Sequence, residues 1–387
     1  MAEVTMSQRA LNRALLARQL LLRREPTTAL RATSALVGLQ AQVAQPPFIG
    51  LWTRLESFTP EQLRSQLRAR KLVRVTMMRS TLHLMRATDY VALRPGIQPA
   101  LESAMRSALR KRLDGVELDP IVAAARECLS GAPMTFARLR EQLAARFPEA
   151  DPRMMGYAVR NLIPLVQVPD DSPWGFPASA DSCLASEWLG AEPSAEPGLS
   201  PDPNPDPNSD PNPDPNPDPS TLVRRYLAAF GPATPADAQV WSGLSGLRAV
   251  FDQLRPKLRR VRDERGRELF DLPRAPRPDP DVDAPARLIP AFDNLVLSHA
   301  DRTRIIADEH RKAIVSKNLQ VSATFLIDGF VAGTWKLERS KQAATVALSA
   351  FIELDKRQRA ALTDEAEALL RFAEPDAPRH AVKFSAR

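Results

Sequence analysis

Two glutamines, Gln40 and Gln42, are the polar pair whose type and spacing could do chemistry in this chain. They stand at the end of the second predicted helix, just before two consecutive prolines. Residues two apart do not share a helical face, so both amides can serve one site only if the helix ends there. A glutamine cannot act as a general base at neutral pH, but its carbonyl can orient water and face a developing positive charge. From the residues alone, the alternative is a polar helix end whose amides satisfy free backbone carbonyls.

The other polar motifs predict neither a metal nor a cofactor. Ser298, His299 and Asp301 have the composition of a catalytic triad, but sequence neighbours do not converge as a triad must. The run of two acids and a histidine at 308–310 is typical of a charged strand or loop. There is no glycine-rich phosphate loop, and two cysteines with four histidines make neither a disulfide framework nor a zinc site.

Length and composition set the class of protein. At 387 residues the chain is long enough for two or three domains, and 44% hydrophobic residues exclude wholesale disorder. No apolar run reaches the ~20 residues of a membrane span, and no signal-peptide pattern opens the sequence. We therefore expect a cytoplasmic, nucleoid-associated protein in a reducing environment.

Basic residues concentrate in the first third of the chain. Residues 1–112 hold 19 Lys/Arg and 6 Asp/Glu, whereas the remainder holds 34 and 40. Of the 53 basic residues 44 are arginine, whose planar guanidinium suits bidentate phosphate contacts. This asymmetry predicts nucleic-acid binding by the N-terminal third, with a solvated basic face as the alternative.

Three helices and a hairpin must position the glutamines. Apolar residues at helical spacing predict helices over 7–24, 27–40 and 59–71, and alternation over 72–85 predicts a hairpin. This order is the winged-helix arrangement, in which the third helix normally reads DNA. We expect phosphate contacts from the arginines of that helix and its wing, which are Arg64, Arg68, Arg70, Arg74 and Arg79.

The same order of elements returns twice, and a different pattern closes the chain. The second set comprises helices 119–129, 135–147 and 152–163 with a wing at 165–176, and the third comprises helices 221–230, 234–241 and 247–254 with a wing at 259–272. Strands over 319–327, 330–337 and 344–354 then precede a helix over 357–372. The sequence thus predicts an α+β fold with three winged-helix units, a C-terminal β-barrel or sheet, and a terminal helix.

A proline repeat divides the chain. Residues 201–219 alternate proline with aspartate and asparagine, which excludes helix and sheet and predicts a solvated linker. We expect units at 1–112 and 113–198, a linker at 199–220, a third unit at 221–284, and the β-barrel domain at 285–387. The third unit should dock directly on the rest, because it has more apolar surface than one small unit buries. This surface is supplied by Trp241, Leu244, Leu247 and Phe251.

Several stretches resemble the winged-helix DNA glycosylases of the AlkZ type. They are GLQAQVAQPP at 38–47, LVRVTMMRSTLHLMRATDY at 72–90, LVRRYLAAFGPATPADAQVWSGL at 222–244, LIPAFDNLVLSHADRTR at 288–304 and GTWKLER at 333–339. The resemblance covers nearly the whole chain except the proline repeat. One departure is Ser80, where the family usually has glycine, which leaves the turn less free to take a positive φ.

The resemblance implies a monofunctional, monomeric DNA glycosylase with three tandem winged-helix motifs and a β-barrel. Members hydrolyse the N-glycosidic bond of bulky N7-alkylated purines in double-stranded DNA and can unhook interstrand crosslinks, in DNA repair or in self-resistance to a genotoxin. Their Gln-Φ-Gln signature, where Φ is apolar, falls on Gln40 and Gln42 as catalytic residues. The alternative is a non-catalytic winged-helix DNA-binding protein or regulator, and a weaker third idea is a protein that sequesters a genotoxin.

Overall fold

The computed structural model describes residues 5–191, 193, 219–315 and 320–385. Within these ranges the chain forms 14 α-helices and three small sheets, a mixed α+β fold. The helices are α1 (Gln8–Arg18), α2 (Ala29–Ala35), α3 (Pro46–Trp52), α4 (Pro60–Arg68), α5 (Ala87–Leu109), α6 (Leu118–Leu129), α7 (Phe136–Arg146), α8 (Pro152–Leu162), α9 (Ala185–Leu189), α10 (Pro219–Phe230), α11 (Pro235–Ser242), α12 (Leu247–Leu254), α13 (Arg311–Ile314) and α14 (Lys356–Ala373). The strands are β1 (Thr5–Met6), β2 (Leu39–Gln40), β3 (Leu72–Thr76), β4 (Leu82–Arg86), β5 (Leu165–Gln167), β6 (Ser182–Leu184), β7 (Arg259–Asp263), β8 (Glu268–Asp271), β9 (Arg287–Ile289), β10 (Thr324–Ile327), β11 (Phe330–Arg339), β12 (Ala344–Ala350) and β13 (His380–Phe384).

The second helix is shorter than its periodicity predicts, and this changes the setting of the glutamines. Helix α2 begins after the Thr28 cap but ends at Ala35. Val37 and Gly38 then adopt φ values of 53° and 87°, which a helix cannot accommodate. Gln40 therefore lies on strand β2 and not at a helix end.

Of the next three helices, the sequence predicted α4 and missed α3 and α5. Thr59 and Gln62 form the reciprocal capping box of α4, with a proline in the first turn. Helix α3 was not predicted, because its two leading prolines suggest a break, yet proline is well suited to the first turn of a helix. Helix α5 was also missed, although its buried face recurs at helical spacing, because it contains two internal prolines.

A five-stranded sheet in the order β2-β4-β3-β5-β6 joins the first two predicted units. The β3–β4 hairpin turns through Arg79 and Ser80, whose φ values are 57° and 58°, near the predicted turn. The prediction of a wing within 165–176 was wrong in its bounds. Only strand β5 forms there, and its antiparallel partner is β6, which begins at Ser182. Strand β3 pairs with β5, so the two predicted wings share one sheet.

The third segment follows its prediction closely, with helices α10, α11 and α12 before the β7–β8 hairpin. Strand β1 pairs parallel with β7, so that Thr5 lies opposite Arg262. Trp241 and Phe251 are fully buried in the cluster that also holds Leu15 of α1, which confirms the direct docking of this segment. Residues 199–218 of the linker predicted at 199–220 lie outside the described ranges. Its last two residues, Pro219 and Ser220, begin helix α10, so the predicted boundary was two residues late.

The C-terminal sheet has the order β13-β12-β11-β10-β9. Its β10–β11 hairpin turns at Asp328 and Gly329, with φ values of 46° and 80°. The chain does not close on a helix as predicted, because β13 follows α14 and pairs parallel with β12. No helix in the described ranges is both long and apolar enough to cross a membrane.

Helix α1 connects these parts through buried polar contacts. Its Arg18 binds Asp271 of β8 at 2.7 Å, and the Asn12 side chain donates to the Gly329 carbonyl at 2.8 Å. Its Arg13 is fully buried and pairs with Asp328 of the same turn. The N-terminal helix therefore ties the third segment and the C-terminal sheet together.

Candidate functional site

The glutamine pair lies along the edge of the first hairpin. Gln40 of β2 is opposite His83 of β4, and the Ala41 amide donates to the Leu82 carbonyl at 2.7 Å. Strand β2 ends at Gln40, and Gln42 follows in a bend just outside the strand. Both glutamines lie along strand β4, because Gln40 is opposite His83 and Gln42 Oε1 accepts from the Leu82 amide at 3.3 Å.

Gln40 is held in place by an arginine. Its side chain is 7% exposed, and its Oε1 accepts a hydrogen bond from Arg79 Nη2 at 2.8 Å. The same guanidinium donates to the Trp241 carbonyl and, at 3.2 Å, to Asn294 Oδ1. Burial lowers the pKa of Arg79 to about 10, and the positive charge of Arg302 adds to this, so Arg79 remains a cation at neutral pH.

Asn294 supports both the arginine and the strand. It is 2% exposed, and its Nδ2 donates to the Gly38 carbonyl at 3.2 Å, just before β2. The neighbouring Asp293 caps this short turn and pairs with the buried Arg54, both carboxylate oxygens lying 2.9 Å from the guanidinium. Residues from the far end of the chain thus complete the surroundings of Gln40.

Gln42 is exposed and more loosely held. Its Oε1 accepts from the Leu82 amide at 3.3 Å, while its backbone carbonyl accepts from Arg74 Nη2 at 3.1 Å. Arg74 also donates to the Ala41 carbonyl at 2.8 Å and lies over the Phe176 ring at 5.0 Å. Its exposure is 6%, and burial, with the charge of Arg160, lowers its pKa to about 10.

The five arginines predicted to contact DNA fall into two groups. Arg74 and Arg79 donate to groups of the glutamine segment, so their guanidinium groups are engaged within the fold. Arg64 and Arg68 lie on the surface of α4 and both bind Glu61, Arg64 at 3.0 Å. Arg70 is exposed, lies over the Trp188 ring at 4.1 Å and donates to its carbonyl at 3.0 Å.

His83, the residue opposite Gln40 in the β2–β4 ladder, is a buried and neutral side chain. Its Nδ1 is 3.1 Å from the Thr81 carbonyl, and its Nε2 has no hydrogen-bond partner among the described residues. Burial, together with the charge of Arg79, lowers the pKa of His83 to about 3. The imidazole is therefore uncharged at neutral pH.

The serine–histidine–aspartate motif does not form a triad. Ser298 Oγ lies 3.0 Å from His299 Nδ1, but His299 Nε2 faces the Phe230 carbonyl and not a carboxylate. Ser298 and His299 are both buried, and Asp301 pairs with Arg265 at 3.0 Å. The prediction that these neighbours do not converge is confirmed.

Sequence reasoning missed Asn294 and the Trp241 carbonyl. Both fall in stretches that carry the family resemblance, but neither is charged, so nothing in their type indicated a role. A backbone carbonyl leaves no signal in a sequence at all. Only the fold brings them to Arg79 and Gln40.

The chain is similar to one known protein family and to a solved structure. The family described as DNA glycosylase AlkZ-like matches residues 33–372. Among solved structures, the DNA glycosylase AlkZ of Streptomyces sahachiroi is similar, with a TM-score of 0.75 and 23% identity over 99% of this chain and 100% of that one. A comparison with curated proteins found no match.

Proposed function

Because the chain belongs to the AlkZ-like DNA glycosylase family, we propose that it hydrolyses the N-glycosidic bond of bulky N7-alkylated purines in double-stranded DNA. Gln40 and Gln42 act at the reaction centre. The observation that carries this assignment is the fixed position of the Gln40 amide, which the partly buried Arg79 holds two residues before the exposed Gln42. A side chain with a set orientation at an accessible edge suits catalysis, since preorganised dipoles cost no reorganisation during reaction.

The chemistry suits amides. An N7-alkylated purine is cationic in the duplex, so it departs as a neutral base and needs no general acid. The enzyme must stabilise an oxocarbenium-like sugar and position a water molecule. Neutral amides supply oriented dipoles for both tasks. Amides cannot form the imine that strand cleavage would require, so the activity is monofunctional and leaves an abasic site.

We propose the same division of the chain as its sequence suggests. Winged-helix units occupy 1–112, 113–198 and 221–284, and a β-barrel domain occupies 285–387. The family does not need to extrude a nucleotide into a tight pocket, which fits bulky adducts and allows interstrand crosslinks to be unhooked. The protein works as a monomer on chromosomal DNA.

Arg64, Arg68 and Arg70 are the proposed phosphate contacts. All three lie at the protein surface, and each makes only contacts that solvent or DNA can replace. Arg74 and Arg79 act instead as supports for the glutamine segment. Binding of undamaged DNA is then dominated by phosphate contacts and is independent of sequence.

The test is release of base from a duplex that carries one N7-methylguanine. We expect the parent protein to release the base and leave an uncut abasic strand. Replacing Gln40 and Gln42 together by alanine should lower the single-turnover rate by about 100-fold or more, the scale of losing one preorganised contact. Affinity for undamaged duplex should stay nearly unchanged.

Gln45 offers a matched control, since it lies in the same loop and its side chain forms no capping hydrogen bond to α3. Gln45→Ala should retain the parent rate. A double variant as fast as the parent would remove the two glutamines from the mechanism. A parent that binds duplex but releases no base would instead support the non-catalytic DNA-binding protein.

A further inference from the structure

We infer that Gln40 presents its amide NH2 group, and not its carbonyl, to the substrate, and that Arg79 and Asn294 are positioning residues that set this orientation. The inference rests on the proposed function and deepens it. It assigns different roles to the two glutamines, whose side chains have the same chemistry but different surroundings.

The partners of Gln40 decide which half of its amide faces inward. A guanidinium has five donors and no acceptor, so the atom 2.8 Å from Arg79 Nη2 must be the carbonyl oxygen. A reversed amide would place two donors against each other in a site where Gln40 is only 7% exposed. The NH2 group therefore points away from Arg79.

The inner carbonyl is poorly suited to a developing cation. Its oxygen has a second lone pair, but the adjacent guanidinium repels any further positive charge. An oxocarbenium-like sugar at that oxygen would be destabilised by Arg79. The Gln42 Oε1 accepts from the neutral Leu82 amide at 3.3 Å, while the guanidinium of Arg74 binds the backbone carbonyl of Gln42 and not its side chain. The task of facing the sugar and orienting water falls to Gln42.

Arg79 is itself fixed by residues from distant parts of the chain. The Trp241 carbonyl and Asn294 Oδ1 accept from it, and these partners lie 162 and 215 residues away in sequence. The orientation of the Asn294 amide follows from its partners in the same way. Its oxygen faces the donor Arg79, and its nitrogen faces the Gly38 carbonyl. The arrangement satisfies each group and leaves Gln40 one orientation.

The NH2 group can assist departure of the purine. As the C1′–N9 bond breaks, its electron pair moves to the purine, which leaves neutral. Water forms the new bond to C1′ and loses its proton to solvent. Acceptor atoms on the purine edge become more electron-rich during this step, so a hydrogen bond donated by Gln40 strengthens on reaching the transition state.

Gln40→Glu tests the orientation. A carboxylate keeps an oxygen for Arg79 and pairs with it, but it has no NH2 group to donate. We expect single-turnover base release at saturating enzyme to fall by about 100-fold. The matched control is Gln45→Glu, which makes the same change in the same loop and should retain the parent rate. Gln42→Glu should lose less of the rate than Gln40→Glu, since it keeps an acceptor. A Gln40→Glu variant as fast as the parent would overturn the inference, while an inactive parent would speak against the proposed function itself.

The positioning role has its own readout. Arg79→Ala should lower kcat with little change in KM for the duplex, and millimolar guanidinium should restore part of the rate. Asn294→Asp keeps the acceptor for Arg79 and should retain more activity than Asn294→Leu. A loss that guanidinium does not restore, in a variant with the parent's melting temperature, would contradict a positioning role for Arg79.

A second measurement does not depend on activity. The side-chain amide signals of Gln40, identified in a nitrogen-15 spectrum by their loss in Gln40→Glu, should shift when undamaged duplex is added. An NH2 group turned inward would be shielded from DNA. Signals that do not respond to saturating duplex would overturn the orientation even if the protein releases no base.

Discussion

Acid should destabilise the protein through His83, which is fully buried and has a pKa lowered to about 3. In the unfolded chain this imidazole regains an ordinary pKa of about 6.5. The folded value lies below the unfolded value, so stability is complete above about pH 6.5 and falls as the pH drops from there towards 3. At about pH 5 the unfolded chain binds nearly one more proton at this site than the folded chain does, which costs about 2 kcal/mol of stability.

The assay is urea unfolding at about pH 7.5 and about pH 5 for the parent and His83→Asn. Asparagine retains a donor for the Thr81 carbonyl but does not titrate, so the variant should lose about 2 kcal/mol less than the parent between the two conditions. His380→Asn, which removes a partly exposed histidine of β13, is the control for losing one histidine. If the parent and His83→Asn lose stability in parallel, His83 accepts a proton in the folded protein and the reasoning is refuted.

Three further predictions concern DNA binding, the core and the linker. Arg68→Ala should reduce the slope of log affinity against log salt for undamaged duplex by about one. Glu61→Gln removes the carboxylate that binds Arg64 and Arg68, so it should raise the affinity for the same duplex. A flat salt dependence of the parent would contradict both expectations. Asp293→Ala should cost about 3–5 kcal/mol in urea unfolding because it leaves Arg54 charged, buried and unpaired, and a loss under about 1 kcal/mol would contradict this. Deleting residues 201–217 should leave base release and a single melting transition unchanged, and two separate transitions would show that the halves are only tethered.

Elements with a local signature could be predicted from the sequence. The capping box of α4 and the turn at Asp328 and Gly329 depend on residues within a few positions of each other, and both are where the pattern indicates. The β1–β7 pairing and the β3–β5 pairing were not predicted, because their partners are far apart in sequence and leave no periodic trace. Helix α5 was missed because its prolines oppose a helix locally, while burial of one face favours it.

In the candidate site, too, the sequence predicted what depends on local pattern and missed what depends on distant contacts. The spacing and the family resemblance singled out Gln40 and Gln42, but the surroundings of their side chains depend on tertiary contacts. Arginine at a hairpin turn usually faces solvent, so Arg79 was predicted to contact phosphate, yet it donates to Gln40 and Asn294. Charge and position in sequence could not indicate that carbonyls from the C-terminal half would surround this guanidinium.

Helix α1 also bears on the order in which the protein folds during synthesis. Its Arg13 and Asn12 bind the turn at Asp328 and Gly329, partners that leave the ribosome more than 300 residues later. Translation at about 5–20 residues per second leaves the polar face of α1 without these partners for tens of seconds. Contacts of such sequence separation slow folding and expose intermediates to aggregation. Expression yield should therefore respond to chaperone supply and to slower synthesis, even in variants whose completed fold is as stable as the parent's.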